Sequence, residues 1–175
     1  MKFVKYILVI ATVNLAANNL CDKTNQLNKT EQKDLTKSVN DAIKDLKKSK
    51  NLDKTIEKYR KLAAEQGVDS SYVFIVKQLS DTTYTILADG DKEVVDIIFP
   101  TKNYPEFSAD LKTIVDYALA PEHKNGGFVS YKTPYKRLSL CKTSFVKAVK
   151  VNSENYIVGA GKQSIKQLDT IESLS

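Results

Sequence analysis

From Thr30 to about Lys48 the apolar residues Leu35, Val39, Ala42, Ile43 and Leu46 recur at helical spacing, with charged and polar residues between them. The pattern predicts a first helix starting at Thr30 and Glu31, with Asp34 adding negative charge to its first turn. Ser49-Lys50-Asn51 interrupts it. Asn51 is placed to cap a second helix whose inward face is Leu52, Ile56, Tyr59 and Ala63, and Gly67 ends that helix. After Gly67 the period changes. Tyr72 to Gln78 and Thr83 to Ala88 are rich in aromatic and β-branched residues and read as strands. Asp89-Gly90-Asp91 is a turn signal, and Glu93 to Ile98 reads as a third strand stopped by Pro100.

A third helix pattern, amphipathic through Leu111, Ile114, Val115, Ala118 and Leu119, runs from about Ser108 and stops before Pro121. Gly126-Gly127 then lead into a short strand, Phe128 to Lys132. Ser144 to Val151 and Tyr156 to Ala160 form the last pair of strands. In the first of these, Phe145, Lys147, Val149 and Val151 share one face, and Val146, Ala148 and Lys150 share the other. The order is helix, helix, three strands, helix, three strands. That predicts an α+β domain, one antiparallel sheet backed by helices.

With 175 residues, 42% of them hydrophobic, the chain is long enough for one domain with its own core. Residues 1–17 carry Lys2 and Lys5, an uncharged apolar run from Tyr6 to Val13, and small residues at Ala16 and Ala17. This is the layout of a secretory signal peptide, and the apolar run is short for a permanent anchor. Residues 18–29 are read as an N-terminal extension, 30–165 as the domain, and 166–175 as a polar tail. Export places the mature chain in the periplasm or outside the cell. A lipid anchor on Cys21 is disfavoured by Leu20, because lipoprotein processing wants a small residue there.

Removing Lys2 and Lys5 lowers the formal net charge from +6 to +4. The lysines between Lys44 and Lys61 alternate with Asp and Glu, as on a solvated helix face, so nucleic acid is not an expected partner. In an oxidising compartment Cys21 and Cys141, the only two cysteines, offer one internal bridge; whether they approach closely enough is open at this level. With one histidine and no CxxC or HExxH spacing, neither a metal nor another cofactor is expected. The paired acids and the Cys141–His123 combination single out no catalytic arrangement, so the chain is not expected to be an enzyme.

The landmarks GGFVSYKTP, Lys142 before Phe145-Val146, and the closing YIVGAG, set behind an Asp-Gly turn, an apolar strand ending in Pro and a helix, resemble the Cache domain family. The likeness runs from about residue 30 to residue 165. It implies a PAS-like antiparallel sheet with a long N-terminal helix packed along it. It also implies binding of small molecules outside the cytoplasm, often organic acids or amino acids. Family receptors continue into a transmembrane helix. The stretch KQSIKQLDTIESLS is too polar for that, so a free-standing copy is expected, acting as a soluble sensor or carrier through a separate partner.

The resemblance places Tyr131, Lys142 and Tyr84 around the pocket. Tyr131 would orient a ligand carboxylate or carbonyl, and Lys142 would supply positive charge. The plainer alternatives are a core tyrosine and a solvated lysine. Arg137, one of two arginines, carries a fork suited to carboxylates, or is simply an exposed loop residue. His123, between Glu122 and Lys124, is expected to face solvent. Two positions depart from the family pattern: Phe99 stands before Pro100 where a His is frequent, and Phe145 stands where a Tyr is frequent. Both changes remove polar groups, and both rings are candidates to fill the cavity. The second expectation is therefore a ligand-free interaction or structural protein of the cell envelope.

Overall fold

The computed structural model describes residues 27–135 and 138–164, with side chains described for all of these except 133–140 and 164. The signal peptide at residues 1–17, Cys21, Arg137 and the tail 166–175 lie outside the described residues. Among the described residues no helix is long and apolar enough to cross a membrane.

Helix α1 spans Lys29–Lys48. It starts slightly earlier than the spacing predicts, because the cap is Asn28. The Asn28 side chain accepts from the Glu31 amide at 3.0 Å, and the Glu31 carboxylate accepts from the Asn28 amide at 2.9 Å. This reciprocal pair satisfies two amides that the helix cannot. Helix α2, Leu52–Gln66, is capped as expected by Asn51, whose side chain accepts from the Lys54 amide at 2.9 Å, and it ends at Gly67. The buried faces match the periodic positions: Leu35, Val39, Ala42, Ile43 and Leu46 on α1, and Ile56, Tyr59 and Ala63 on α2.

The strands are β1 (Tyr72–Gln78), β2 (Tyr84–Ala88), β3 (Ile98–Phe99), β4 (Gly127–Tyr135), β5 (Leu138–Val151) and β6 (Glu154–Ser164). Helix α3, Pro105–Leu119, lies between β3 and β4 in the chain. The six strands form one antiparallel sheet in the order β3-β2-β1-β6-β5-β4. Strands β1 and β6 sit at the centre, far apart in sequence. The β5–β6 hairpin turns at Asn152 and Ser153, whose φ values of 49° and 69° suit a two-residue connection that follows the sheet twist.

The third strand differs from expectation. Lys92–Val94 is a short 3-10 turn and only Ile98–Phe99 pair with β2. The run Val94, Val95, Ile97 is hydrophobic because Val94 is buried and its neighbours pack against the α3-side core, a demand that does not require a strand. Apolar runs this short do not separate strand from irregular core segment.

The sheet is covered on both faces. One core joins α1 and α2 to Ile75, Phe145, Val149, Val158 and Ala160. The other joins α3 to Phe74, Val76, Ile86, Val129, Val146 and Ile157. The alternation read along β5 is therefore real, with Phe145 and Val149 turned to α1 and Val146 turned to α3. Gly126 has φ +83°, and a Cβ there would lie 2.6 Å from the Phe145 ring, so both conformation and space call for glycine where the chain enters β4.

Candidate functional site

Between the sheet and α3 lies a cavity of about 30 Å³, lined by Tyr72, Phe74, Val76, Ile86, Asp89, Phe107, Asp110, Leu111, Ile114, Tyr131 and Lys142. Its floor comes from the sheet. Tyr131 and Lys142 are direct partners across β4 and β5, so both side chains stand on the same face. Lys142 is 4% exposed and Tyr131 is 7% exposed, which settles that neither is a surface residue. Phe74 reaches the floor because its partner on β6 is Gly159; a Cβ at Gly159 would lie 2.1 Å from the Phe74 ring. The roof comes from α3, where Phe107, Asp110, Leu111 and Ile114 fall on one helical face.

The polar groups form a chain. The Lys142 ammonium donates to the Tyr72 hydroxyl at 2.9 Å, and that hydroxyl donates to Asp89 Oδ1 at 2.9 Å. The Asp91 amide also donates to Asp89 Oδ1 at 2.9 Å. Lys142 Nζ lies 4.2 Å from the centroid of the Tyr72 ring and 5.7 Å from that of Phe74, an arrangement that adds cation–π attraction. Tyr131 shares a hydrogen bond of 2.9 Å with Ser144, which is fully buried.

Asp89 reaches the cavity through a bulge. Ile75 pairs with Ala88 but Val76 pairs with Ile86, so the ladder skips Leu87. Leu87 and Ala88 then both join the α1 side, and Asp89 comes out on the α3 side with Tyr72. An extra residue in one strand re-aims the next side chains along it, and here one of them is a carboxylate.

Desolvation dominates the titration of the group. It pushes the Lys142 ammonium below its usual range, with the Asp89 charge opposing. It pushes Asp89 up, opposed chiefly by Lys142. The Tyr72 and Tyr131 hydroxyls are raised, again first by burial, so both stay protonated donors. Asp110 is pushed up to about 7 by burial and by the negative Glu106, with Lys132 opposing.

Of the residues expected at the site, Tyr131 and Lys142 meet at the cavity. Tyr84 is buried in the α3-side core, but its hydroxyl donates to the Asp81 carbonyl at 3.2 Å and its side chain does not line the cavity. Arg137 is outside the described residues. Neither phenylalanine fills the cavity: Phe99 packs against Phe107 with ring centroids 5.3 Å apart, and Phe145 packs against Phe128 on the opposite face. His123 is half-buried and stacks on Tyr117 at 3.7 Å, where solvent exposure was expected. Cys141 is disulfide-bonded, which removes it as a thiol nucleophile. Three polar cavity residues, Tyr72, Asp89 and Asp110, carried no expectation as site residues. Asp110 did leave a signal, as an acid among Phe107, Leu111 and Ile114 on an otherwise apolar helix face. Tyr72 and Asp89 read as an ordinary strand residue and a turn residue.

No protein-family model matches the chain, and no match is found among curated proteins.

Proposed function

We propose that the chain is an exported small-molecule-binding module of PAS-like, Cache type, holding a short carboxylate or amino acid beneath α3 and working through a separate partner. The observation that carries this reading is the Lys142 ammonium. It faces the cavity with three N–H donors, and the Tyr72 hydroxyl is its hydrogen-bond acceptor among the described residues. Two donors are left for a ligand oxygen. The Tyr131 hydroxyl on the same face is positioned to add a further polar contact. The central strand order β2-β1-β6-β5-β4, with α1 along the opposite face, is compatible with a PAS-like sheet.

Cavity size sets the ligand. A space of about 30 Å³ takes two or three water-sized groups, so a formate- or acetate-sized anion is the closest fit. An amino acid requires α3 to move outward, since ordinary ligand pockets are roughly ten times larger. A thermal-shift screen of the full chain against short carboxylates and amino acids tests the reading. The expected result is a rise in Tm with at least one of them, absent in Lys142→Met. No shift with any compound overturns it.

The same volume favours the second reading, a ligand-free interaction or structural module. There the charge of Lys142 is matched internally by Asp89 through Tyr72. That reading expects no ligand shift and a large stability loss from breaking the Lys142–Tyr72–Asp89 chain.

A further inference from the structure

Helix α1 sorts its charges by side. At about 100° per residue, its six lysines (Lys29, Lys33, Lys37, Lys44, Lys47 and Lys48) fall within one arc of about 100°, and all are exposed. Its acids, Glu31, Asp34, Asp41 and Asp45, fall within the next arc, of about 80°. The acidic side turns toward α2, where Asp45 accepts from Lys58 at 2.8 Å and from Tyr59 at 2.9 Å. The lysine side borders an open groove of about 450 Å³, whose other wall is Phe128 near the start of β4. Lys29, Lys33, Lys37, Gln32 and Asn40 line the groove, and no acid among the described residues does. Lys29 and Lys33 make no ion pair among the described residues.

Beside this groove runs the long edge of the sheet. Among the described residues β4 pairs with β5 alone, over nine residues, whereas β3 at the other edge has two. From Gly127 to Lys132 the strand contains no proline, and its backbone hydrogen bonds among the described residues are those to β5. An edge of this kind offers a row of N–H and C=O groups to another extended chain.

We propose that β4 and the lysine face of α1 form a docking surface for an acidic, extended segment of a partner protein. The segment adds as a strand to the β4 edge and sets alternate Asp or Glu side chains against Lys29, Lys33 and Lys37. This surface is on the α1 side of the sheet and the cavity is on the α3 side, so the inference goes beyond the ligand reading and does not depend on it.

Spacing supports the match. Lys29, Lys33 and Lys37 climb the helix in steps of about 6 Å, and alternate side chains of a strand repeat at about 6.7 Å. Acids on one face of an added strand therefore stay opposite successive lysines over three pairs. Phe128, half-buried and packed on the α1 side, supplies an apolar contact next to the charges. Main-chain bonds to β4 give the affinity, and the lysines select the partner and its orientation.

The test is fluorescence anisotropy of the full chain with a labelled nine-residue peptide, (Glu-Thr)4-Glu. A second peptide is N-methylated at residues 4 and 5, which blocks one N–H on each edge of the strand. The expected result is saturable binding of the first peptide, weakened about tenfold by the double change Lys29→Glu with Lys33→Glu, and about tenfold or more by N-methylation. Amide exchange of residues 127–132 should slow about tenfold when the peptide is saturating. No saturable binding overturns the proposal, as does binding that the lysine changes leave intact. Equal binding of the N-methylated peptide, or of heparin with no slowing at residues 127–132, also overturns it and marks a general polyanion surface instead. The Tm response to acetate, measured on the lysine variant, is expected to be unchanged, so that failure here and failure of the ligand reading are told apart.

Discussion

Lys142 on β5 and Tyr72 on β1, 70 residues apart in the chain, meet at 2.9 Å in the interior, and Tyr72 carries the contact on to Asp89. Neither strand neighbours the other; β6 lies between them. The contact therefore exists only when three strands are in register. Removing one partner of a buried pair of this kind leaves the other charge uncompensated, which costs stability.

Removing one end should expose that dependence. Lys142→Met is expected to lower stability by about 3 kcal/mol, because Asp89 keeps its desolvation without its cation. Lys142→Met with Asp89→Asn should lose less than the sum of the two single changes, by about 1–3 kcal/mol. Urea unfolding of the four proteins measures this coupling, and strict additivity would show that the two groups act independently.

Asp110 predicts a pH dependence of defined sign. Its carboxyl is raised from 3.8 to about 7, so across that window the folded chain holds a proton that the unfolded chain has released. Stability from this group is present at low pH and falls as pH rises from about 4 to about 7. Asp110→Asn cannot titrate. It should flatten the fall and be the more stable protein at pH 8, as read from Tm against pH.

Phe107 limits the cavity from α3 and packs on Phe99. Phe107→Ala is expected to cost about 2–3 kcal/mol, below the range for a fully buried phenylalanine, since Phe107 is half-buried. It should also widen the cavity, so that alanine or propionate raises Tm where acetate did in the parent chain. An unchanged size preference would place the limit elsewhere.

Gly159 tests the floor. Gly159→Ala brings a methyl group to within 2.1 Å of the present position of the Phe74 ring, which must shift toward the cavity. The expected loss is about 1–3 kcal/mol, the range for overpacking. Adding Phe74→Leu should recover part of it, because the shorter side chain leaves the space that the methyl needs. Chemical denaturation of the single and double variants checks both statements.

The sequence by itself determined the local architecture. Helical spacing marked α1, α2 and α3, Asn51 and Gly67 marked the ends of α2, and the alternation in β5 assigned Phe145 and Val146 to opposite faces. Those are short-range consequences of a 3.6-residue or two-residue period meeting an apolar core. Lys142 and Tyr131 were singled out by the family resemblance and not by a local period; Lys142 lay outside the predicted strand, which in the structure begins earlier, at Leu138. Tertiary structure alone decided the rest. The skipped residue Leu87 turned Asp89 inward, and strand order brought Tyr72 to Lys142. The segment 93–97 stayed out of the sheet while its apolar residues served the core. Register and strand order depend on which distant segments pair, and no local pattern carries that information.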